Sequence, residues 1–570
     1  MEFVELIKTP KVDGVVLNRP FQEPVDGTLC VTGHHLILSS RTGNHEELWL
    51  LHRNIDCIEK RLEANRGTVI VKCKNFQVLR LDIPGQDETF NIAGSIEVLS
   101  SLEDVSLWYP FYFRPRQFDI MEDGWQAFQV DSELTRLISH ADHSWRISSV
   151  NKDFSVCPTY PAAVAVPKSV SDELLLASAG FRDRGRFPVL SYYHNDNGAV
   201  IMRSGQPLVG TSGRRSKEDE QLLNASLRAG KKGYIIDTRS PSVAQMAKSR
   251  GGGWEPEANY SQWKRVHRAM ERHTVLQEAL CKLIEACSDS RASTDKWLSR
   301  LDSSGWLSHI KDVLTCACLT AQCVDKEGAS VLVHGTEGTE STLQVTSLAQ
   351  VILDPDCRTV RGFEALVERE WVQAGHPFNE RCGKSAFSNV RSRYEAPVFL
   401  LFLDSVWQVC QQFPCSFEFN TQFLILLFEH AYASQFGTFL CNSEAEKTKL
   451  GVHQKTVSLW SWLNRPEVLQ NYLNPMYEPN KAVIWPSVAP QSLELWSELY
   501  LRWSQDNSTQ QETIKHILSI KEHNKELRTK VIRMRRQLLD LQKEAVDRGL
   551  LAADGNSMEV ASEACTSPVS

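Results

Sequence analysis

Between residues 120 and 505, short β-prone apolar runs alternate with long amphipathic stretches, and this alternation constrains the chain more than any other feature. AVAVP, FPVLSYYH, AVIMR, YIIDTR and SVLVH read as strands, whereas YSQWKRVHRAMERHTVLQEALCKLIEAC reads as one long helical pattern. A chain patterned in this way buries its strands in a central sheet and covers them with helices, so a large α/β unit is expected. Loops that handle ligands then sit at the carboxyl ends of strands, which is where VLVHGTEGTEST (331–342) falls. Its apolar β-formers lead into His334, then Gly335 and Gly338, then small polar residues and the run LQVTSLAQVIL. This is a buried strand, a tight turn and a helix. Amide N–H groups of such a turn, backed by a helix N-terminus, favour an anion. The turn itself holds no Cys, Lys or Arg.

The flanks differ in character. Up to about residue 105, GTLCVTGHHLILSS, ELWLLHRNIDCIEKR and GTVIVKCKNFQVLRLDI alternate and turn often, and a helix is expected in ETFNIAGSIEVLSSL. A small barrel or sandwich with a helical cap is the expected result. LWYPFYFRPRQF, in a linker at 106–122, is rich in aromatics that are costly to leave in water, so it should pack on something. From 508 to 545, placing Ile517, Asn524, Val531, Leu538 and Ala545 at heptad position a puts Ile520, Leu527, Met534 and Leu541 at d. That 3–4 spacing reads as a coiled coil, with a solvated single helix as the alternative. Residues 546–570 have the composition of a disordered tail. The fold class is therefore multidomain α+β: a β-rich unit, a large α/β unit at 123–505 and a C-terminal coiled coil.

Bulk properties exclude several functions. The 570 residues carry a formal charge of -7, which argues against nucleic acid as the main ligand. MEFVELIKTPKVDG lacks the order of a signal peptide, and charges or polar residues interrupt each apolar run, as Asp404 does in FLLFLDSVW. The 15 cysteines follow no framework and read as reduced thiols, so a cytoplasmic chain, peripheral to membranes at most, is expected. Cys316, Cys318 and Cys323 cluster without a zinc spacing and read as buried small hydrophobes, so no metal and no cofactor are expected.

Longer runs are more specific than any single loop. WRISSVNKDFSVCPTYP (145–161), FRDRGRFPVLSYYH (181–194), RSGQPLVG (203–210), YIIDTRSPSVAQ (234–245) and GGGWE (251–255) resemble the myotubularin family of phosphoinositide 3-phosphatases. So do SLAQVILDPDCRTVRGFEALVEREWVQAGHPFNERCG (347–383) and PVFLLFLDSVWQVCQQFPCSFEFN (397–420). The resemblance spans nearly the whole chain. It implies a PH-GRAM-like domain at 1–105, a cysteine-phosphatase-like domain after it and the coiled coil.

The resemblance also implies what 334–342 should contain. Active relatives carry His-Cys-Ser-Asp-Gly-Trp-Asp-Arg-Thr: a thiolate nucleophile, an arginine fork for the phosphoryl oxygens and an Asp that protonates the leaving oxygen. Here the Cys position is Gly335 and the Arg position is Ser341; the Asp positions are Glu337 and Glu340, and the Trp position is Thr339. His334, Gly338 and Thr342 keep the pattern, and Thr336 stands beside the vacant nucleophile position. Glycine has nothing to attack with, serine cannot supply the cationic fork, and two glutamates leave the turn locally negative. Inactivity by this mechanism is expected. Two further places that bind the headgroup in active relatives read Ala247-Lys248 and Arg272-His273-Thr274.

A chain that keeps the fold without the reaction is expected to act as a pseudophosphatase adaptor. Lys521, His523, Arg528, Lys530 and Arg535 occupy positions e and g, which disfavours self-pairing and favours an acidic partner helix. The resemblance names that partner as a catalytically active myotubularin-related phosphatase acting on phosphatidylinositol 3-phosphate and 3,5-bisphosphate at endosomal or other endomembranes. A homodimer through the a/d seam is the plainer alternative. Lys60-Arg61 with Lys72 and Lys74 could meet phosphoinositide membranes or be a solvated sheet face. The other class of function is a stand-alone lipid binder or residual lipid phosphatase.

Overall fold

The computed structural model describes residues 3–40, 47–63, 66–115, 120–141, 143–289, 292–389, 393–503 and scattered residues between 519 and 548. Two compact units result, Met1–Gln505 and Asp506–Ser570.

The first unit opens with seven antiparallel strands: β1 (Lys11–Asn18), β2 (Val25–Val31), β3 (His35–Ser40), β4 (Leu48–Leu51), β5 (Ile55–Glu63), β6 (Arg66–Cys73) and β7 (Val78–Pro84). They lie in the order β4-β3-β2-β1-β7-β6-β5. Alternate residues point inward, as Val15, Leu29, Leu36, Val69, Val71, Leu79 and Leu81 do, each fully buried. The helix Gln86–Ser100 caps this face with Ile92, Ala93, Ile96 and Leu99, spaced to share one side. It approaches so closely that a Cβ on Gly67 would lie 2.3 Å from Thr89 Oγ1.

The aromatic linker packs as its composition demands. Trp108 lies under the Arg53 guanidinium at 3.5 Å, Tyr109 meets His35 at 4.4 Å, and Phe113 meets Phe436 at 5.6 Å. The β6–β7 turn docks on the helical part of the same unit. Phe76 stacks on Phe428 at 5.3 Å, and Lys74 Nζ donates to Gly383 O at 2.7 Å. Lys74 is therefore buried and lies on neither a solvated nor a lipid-facing surface, and burial holds its ammonium well below the usual range. Lys60 and Lys72 pair with Glu97 (2.9 Å) and Glu59 (2.6 Å).

The α/β part is built on β10 (Val189–Tyr193), β11 (Val200–Ser204), β12 (Gly233–Asp237), β13 (Trp263–His267) and β14 (Val331–His334), after a separate pair, β8 (Trp145–Ser148) and β9 (Val164–Pro167). The order is β10-β11-β14-β12-β13, with β11, β14, β12 and β13 parallel and β10 antiparallel at one edge. Helices Trp306–Asp325 and Ser341–Leu353 pack against one another, and Val398–Gln412 packs on both.

Two expectations need correction. AVAVP is a strand, but it pairs with β8 outside the central sheet; its final Pro167 has no N–H for a further ladder and suits a strand end. The stretch 260–287 is not one helix, because WKRVH forms β13 and the helix runs from His273 to Ser288. Trp263 sits opposite Gly233 in the β12–β13 ladder, and a Cβ on Gly233 would lie 2.4 Å from the indole ring. A glycine thirty residues upstream thus admits the Trp and makes this segment a strand.

Candidate functional site: the glycine turn after strand β14

β14 lies between two parallel neighbours, β11 and β12, with Val331, Leu332 and Val333 fully buried. The turn emerges from its carboxyl end, and the helix Ser341–Leu353 carries the chain away, with every residue from Thr342 to Leu353 buried. Gly338 is required by geometry: its φ is +78°, and a Cβ there would lie 2.3 Å from Ser204 O.

The carbonyls of the turn are tied outward. Thr238 N donates to His334 O (2.9 Å) and Gln206 N to Thr336 O (3.0 Å). Arg186 Nη2 donates to Gly338 O (2.8 Å), and His376 Nδ1 bonds Thr339 O (2.9 Å). By contrast, the amide N–H groups from Gly335 through Ser341 have no acceptor among the described residues. Anchored carbonyls and free amides are the arrangement of an anion cradle.

His334 braces the turn from below. Fully buried, its Nε2 bonds Glu255 Oε2 at 2.9 Å; Glu255 Oε1 accepts from Arg182 Nη1 at 2.6 Å; and Arg182 grips Asp219 at 2.6 and 2.8 Å. Burial acts to raise the Glu255 carboxyl, but the His334 and Arg182 charges outweigh it and hold the group well below the usual carboxylate range.

Above the turn lies a pocket of about 490 Å³. At its base Gly335 presents no side chain, and a Cβ there would lie 2.8 Å from Thr238 Oγ1 and 3.4 Å from Ser341 Oγ. Those two hydroxyls hydrogen-bond each other at 2.8 Å. Thr342 Oγ1 is buried without a partner among the described residues, 3.8 Å from the same vacant position. Thr336 and Thr339 both line the pocket. Among the described residues no cysteine and no lysine does. Cys323 is buried in the helix Trp306–Asp325 with Cys316, and burial pushes each of these thiols up to about 12.

The expectation of a locally negative turn is corrected by what faces it. Glu337 Oε1 accepts from Arg184 Nη2 at 2.7 Å, and Glu340 Oε1 takes Arg381 Nε and Nη2 at 2.6 and 2.5 Å. Burial pushes the Glu337 carboxyl up, while Arg184 pulls it back. Among the described residues six arginines line the pocket against four glutamates, a cationic balance. Three of them, Arg250, Arg272 and Arg393, make no ion pair among the described residues. Arg272, His273 and Thr274 line the pocket, as the family resemblance implies for the places they occupy. Ala247 and Lys248 do not line it; Lys248 Nζ stands over Trp254 at 4.9 Å.

Sequence reasoning assigned no role to Arg184, Arg381, Thr238 or Glu255. The alternating arginines of FRDRGRF, set in an apolar context, were the available signal: Arg182 and Arg186 are buried structural groups, and Arg184 faces the turn.

The second candidate surface is the C-terminal helix. Ile517 and Asn524 lie outside the described residues, whereas Ile520, Leu527, Val531, Met534, Leu538 and Leu541 are helical and 43% to 64% exposed. No helix among the described residues is long and apolar enough to cross a membrane. No group of three His, Cys, Asp or Glu among them could hold a metal.

Comparisons agree with the architecture. A family model described as Myotubularin-like phosphatase domain matches residues 108–448, and one described as MTMR6-9, GRAM domain matches 11–100. The chain is 62% identical over 544 residues to myotubularin-related protein 9 of Mus musculus, covering 95% of this chain and 99% of that protein. The Homo sapiens protein of the same name is also 62% identical over 544 residues. Phosphatidylinositol-3-phosphate phosphatase MTMR7 of Homo sapiens is 37% identical over 540 residues, covering 92% of this chain and 80% of that protein. With a β-rich GRAM unit followed by a mixed α/β phosphatase unit, the chain belongs to the myotubularin family.

Proposed function

We propose that this chain is a pseudophosphatase that binds and regulates a catalytically active myotubularin-related phosphatase. The observation that carries this reading is the base of the pocket. Gly335 offers no nucleophile, Ser341 is hydrogen-bonded to Thr238 instead of forking a phosphoryl group, and no lining side chain among the described residues is a thiol. Covalent phosphoryl transfer needs an activated nucleophile and cationic stabilisation of the transferring group, and both are missing from the turn.

The apolar stripe on the C-terminal helix supports the second half. Burying one Leu or Ile side chain stabilises by roughly 1.5–3 kcal/mol, so a stripe of exposed residues such as Leu527, Val531, Leu538 and Leu541 favours a partner helix. Lys530 and Arg535 on its flanks favour an acidic one. Through this helix the chain raises the activity, stability or localisation of its partner towards 3-phosphorylated phosphoinositides on endomembranes, with the chain itself peripheral.

The test is phosphate release from phosphatidylinositol 3-phosphate by the purified chain, by MTMR7 and by their mixture. The expected result is no release alone and increased release in the mixture, abolished by Leu527→Asp with Leu538→Asp. Release by the chain alone would favour a residual lipid phosphatase, and an unchanged mixture would remove the regulatory reading.

A further inference from the structure

The pocket combines an intact amide cradle with side chains that oppose its use. The free N–H groups of Gly335–Ser341 and the unpartnered Thr342 Oγ1 form an oxyanion-type base. Two of the arginines that line the pocket are already engaged, however, by carboxylates that the turn itself supplies. Arg184 is bonded to Glu337 at 2.7 Å. Arg381, 6% exposed, is bonded through two nitrogens to one oxygen of Glu340, while His273 Nδ1 stands 3.9 Å from the other.

We infer that Glu337 and Glu340 act as internal ligands that close the pocket to phosphomonoester dianions by occupying Arg184 and Arg381. This deepens the proposed function, because it rests on the reading that the pocket does not turn over and adds that it is also held shut. Each of these side chains is one methylene longer than the aspartate that the family resemblance implies at its place, and an entering dianion must displace both from their guanidinium groups before it gains either cation. Arg250, Arg272 and Arg393 line the pocket, are exposed and still give it a cationic field, so anions are attracted to it and refused at the turn.

The experiment measures binding of water-soluble inositol 1,3-bisphosphate, and separately of inorganic phosphate, to the full-length chain by titration calorimetry. Glu337→Gln with Glu340→Gln is expected to bind inositol 1,3-bisphosphate at least tenfold more tightly than the wild type, with inorganic phosphate following the same order more weakly. Glu337→Gln alone, at the more exposed pair, is expected to give part of the gain, and serves if the double variant does not fold. Glu271→Gln removes the same charge from the pocket wall without touching either ion pair, and is expected to give less than twofold.

No gain in the folded Gln variants, wild-type binding as tight as theirs, or an equal gain from Glu271→Gln would each overturn the inference. Phosphate release from the ligand is followed in parallel. Release by the wild type would refute the proposed function, whereas unchanged affinity without release would refute only the closure.

Discussion

Replacing Gly335 by Cys and Ser341 by Arg would restore the two residue types that the family resemblance implies at these positions, yet the double variant is expected to release little phosphate. The steric part of the exchange is tolerable. A new Cβ at 335 meets Thr238 Oγ1 at 2.8 Å, but removing Ser341 frees that hydroxyl from its 2.8 Å partner and lets it rotate. What is not repaired is the engagement of the arginines around the nucleophile. Arg184 and Arg381 stay bonded to Glu337 and Glu340 and are kept from the transferring phosphoryl group. Glu340, at the place where the family resemblance implies the proton donor, remains bonded to Arg381 at 2.6 and 2.5 Å and is turned to that task. A misplaced general acid costs a factor of about 10²–10⁴, and one lost oxyanion-type contact costs about 10²–10³. Turnover of phosphatidylinositol 3-phosphate by the double variant is therefore expected at least ~10² below that of MTMR7 measured alongside by phosphate release. Activity within tenfold of that enzyme would show that the carboxylates are harmless and that Gly335 and Ser341 alone silence the site.

Three further expectations concern stability. Glu255→Gln leaves Arg182 and His334 without their shared buried carboxylate, and should cost about 3–5 kcal/mol, read as a lower thermal midpoint. Gly338→Ala places a Cβ 2.3 Å from Ser204 O at a φ of +78°, and should lower the midpoint as well, since the left-handed conformation alone costs about 1–2 kcal/mol. Glu364 is fully buried, and burial raises its carboxyl to about 8, against the partial relief of a 3.0 Å bond from Asn464. Its folded value lies above its unfolded one, so the folded state binds the extra proton and stability falls as pH rises between roughly 4.5 and 8. Glu364→Gln should flatten that slope and be more stable than the wild type at pH 8, by an amount of order a few kcal/mol in denaturant titrations.

The strand–turn–helix at 331–353 was legible because each piece is locally encoded. Val331–Val333 have β-branched and apolar side chains, Gly338 takes a conformation other residues resist, and LQVTSLAQVIL is uncharged throughout its buried length. The capped antiparallel sheet of the first hundred residues was legible for the same reason. The strand at Trp263–His267 was not, because Gly233, which makes room for the indole, is distant in sequence and decides the matter only once the two segments are side by side. Lys74 likewise reads as a surface lysine until the β6–β7 turn docks and Gly383 O receives it.

The sequence by itself determined what the turn lacks. A nucleophile and a guanidinium fork are side-chain identities, and Gly335 and Ser341 have neither in any fold. It could not determine what the turn faces. Arg184 lies 153 residues before Glu337, and Arg381 lies 41 residues after Glu340. Only the packed tertiary structure brings each guanidinium against its carboxylate and turns two apparently repulsive glutamates into neutralised pairs. Coulomb energy depends on separation in space, and separation along a chain does not report it.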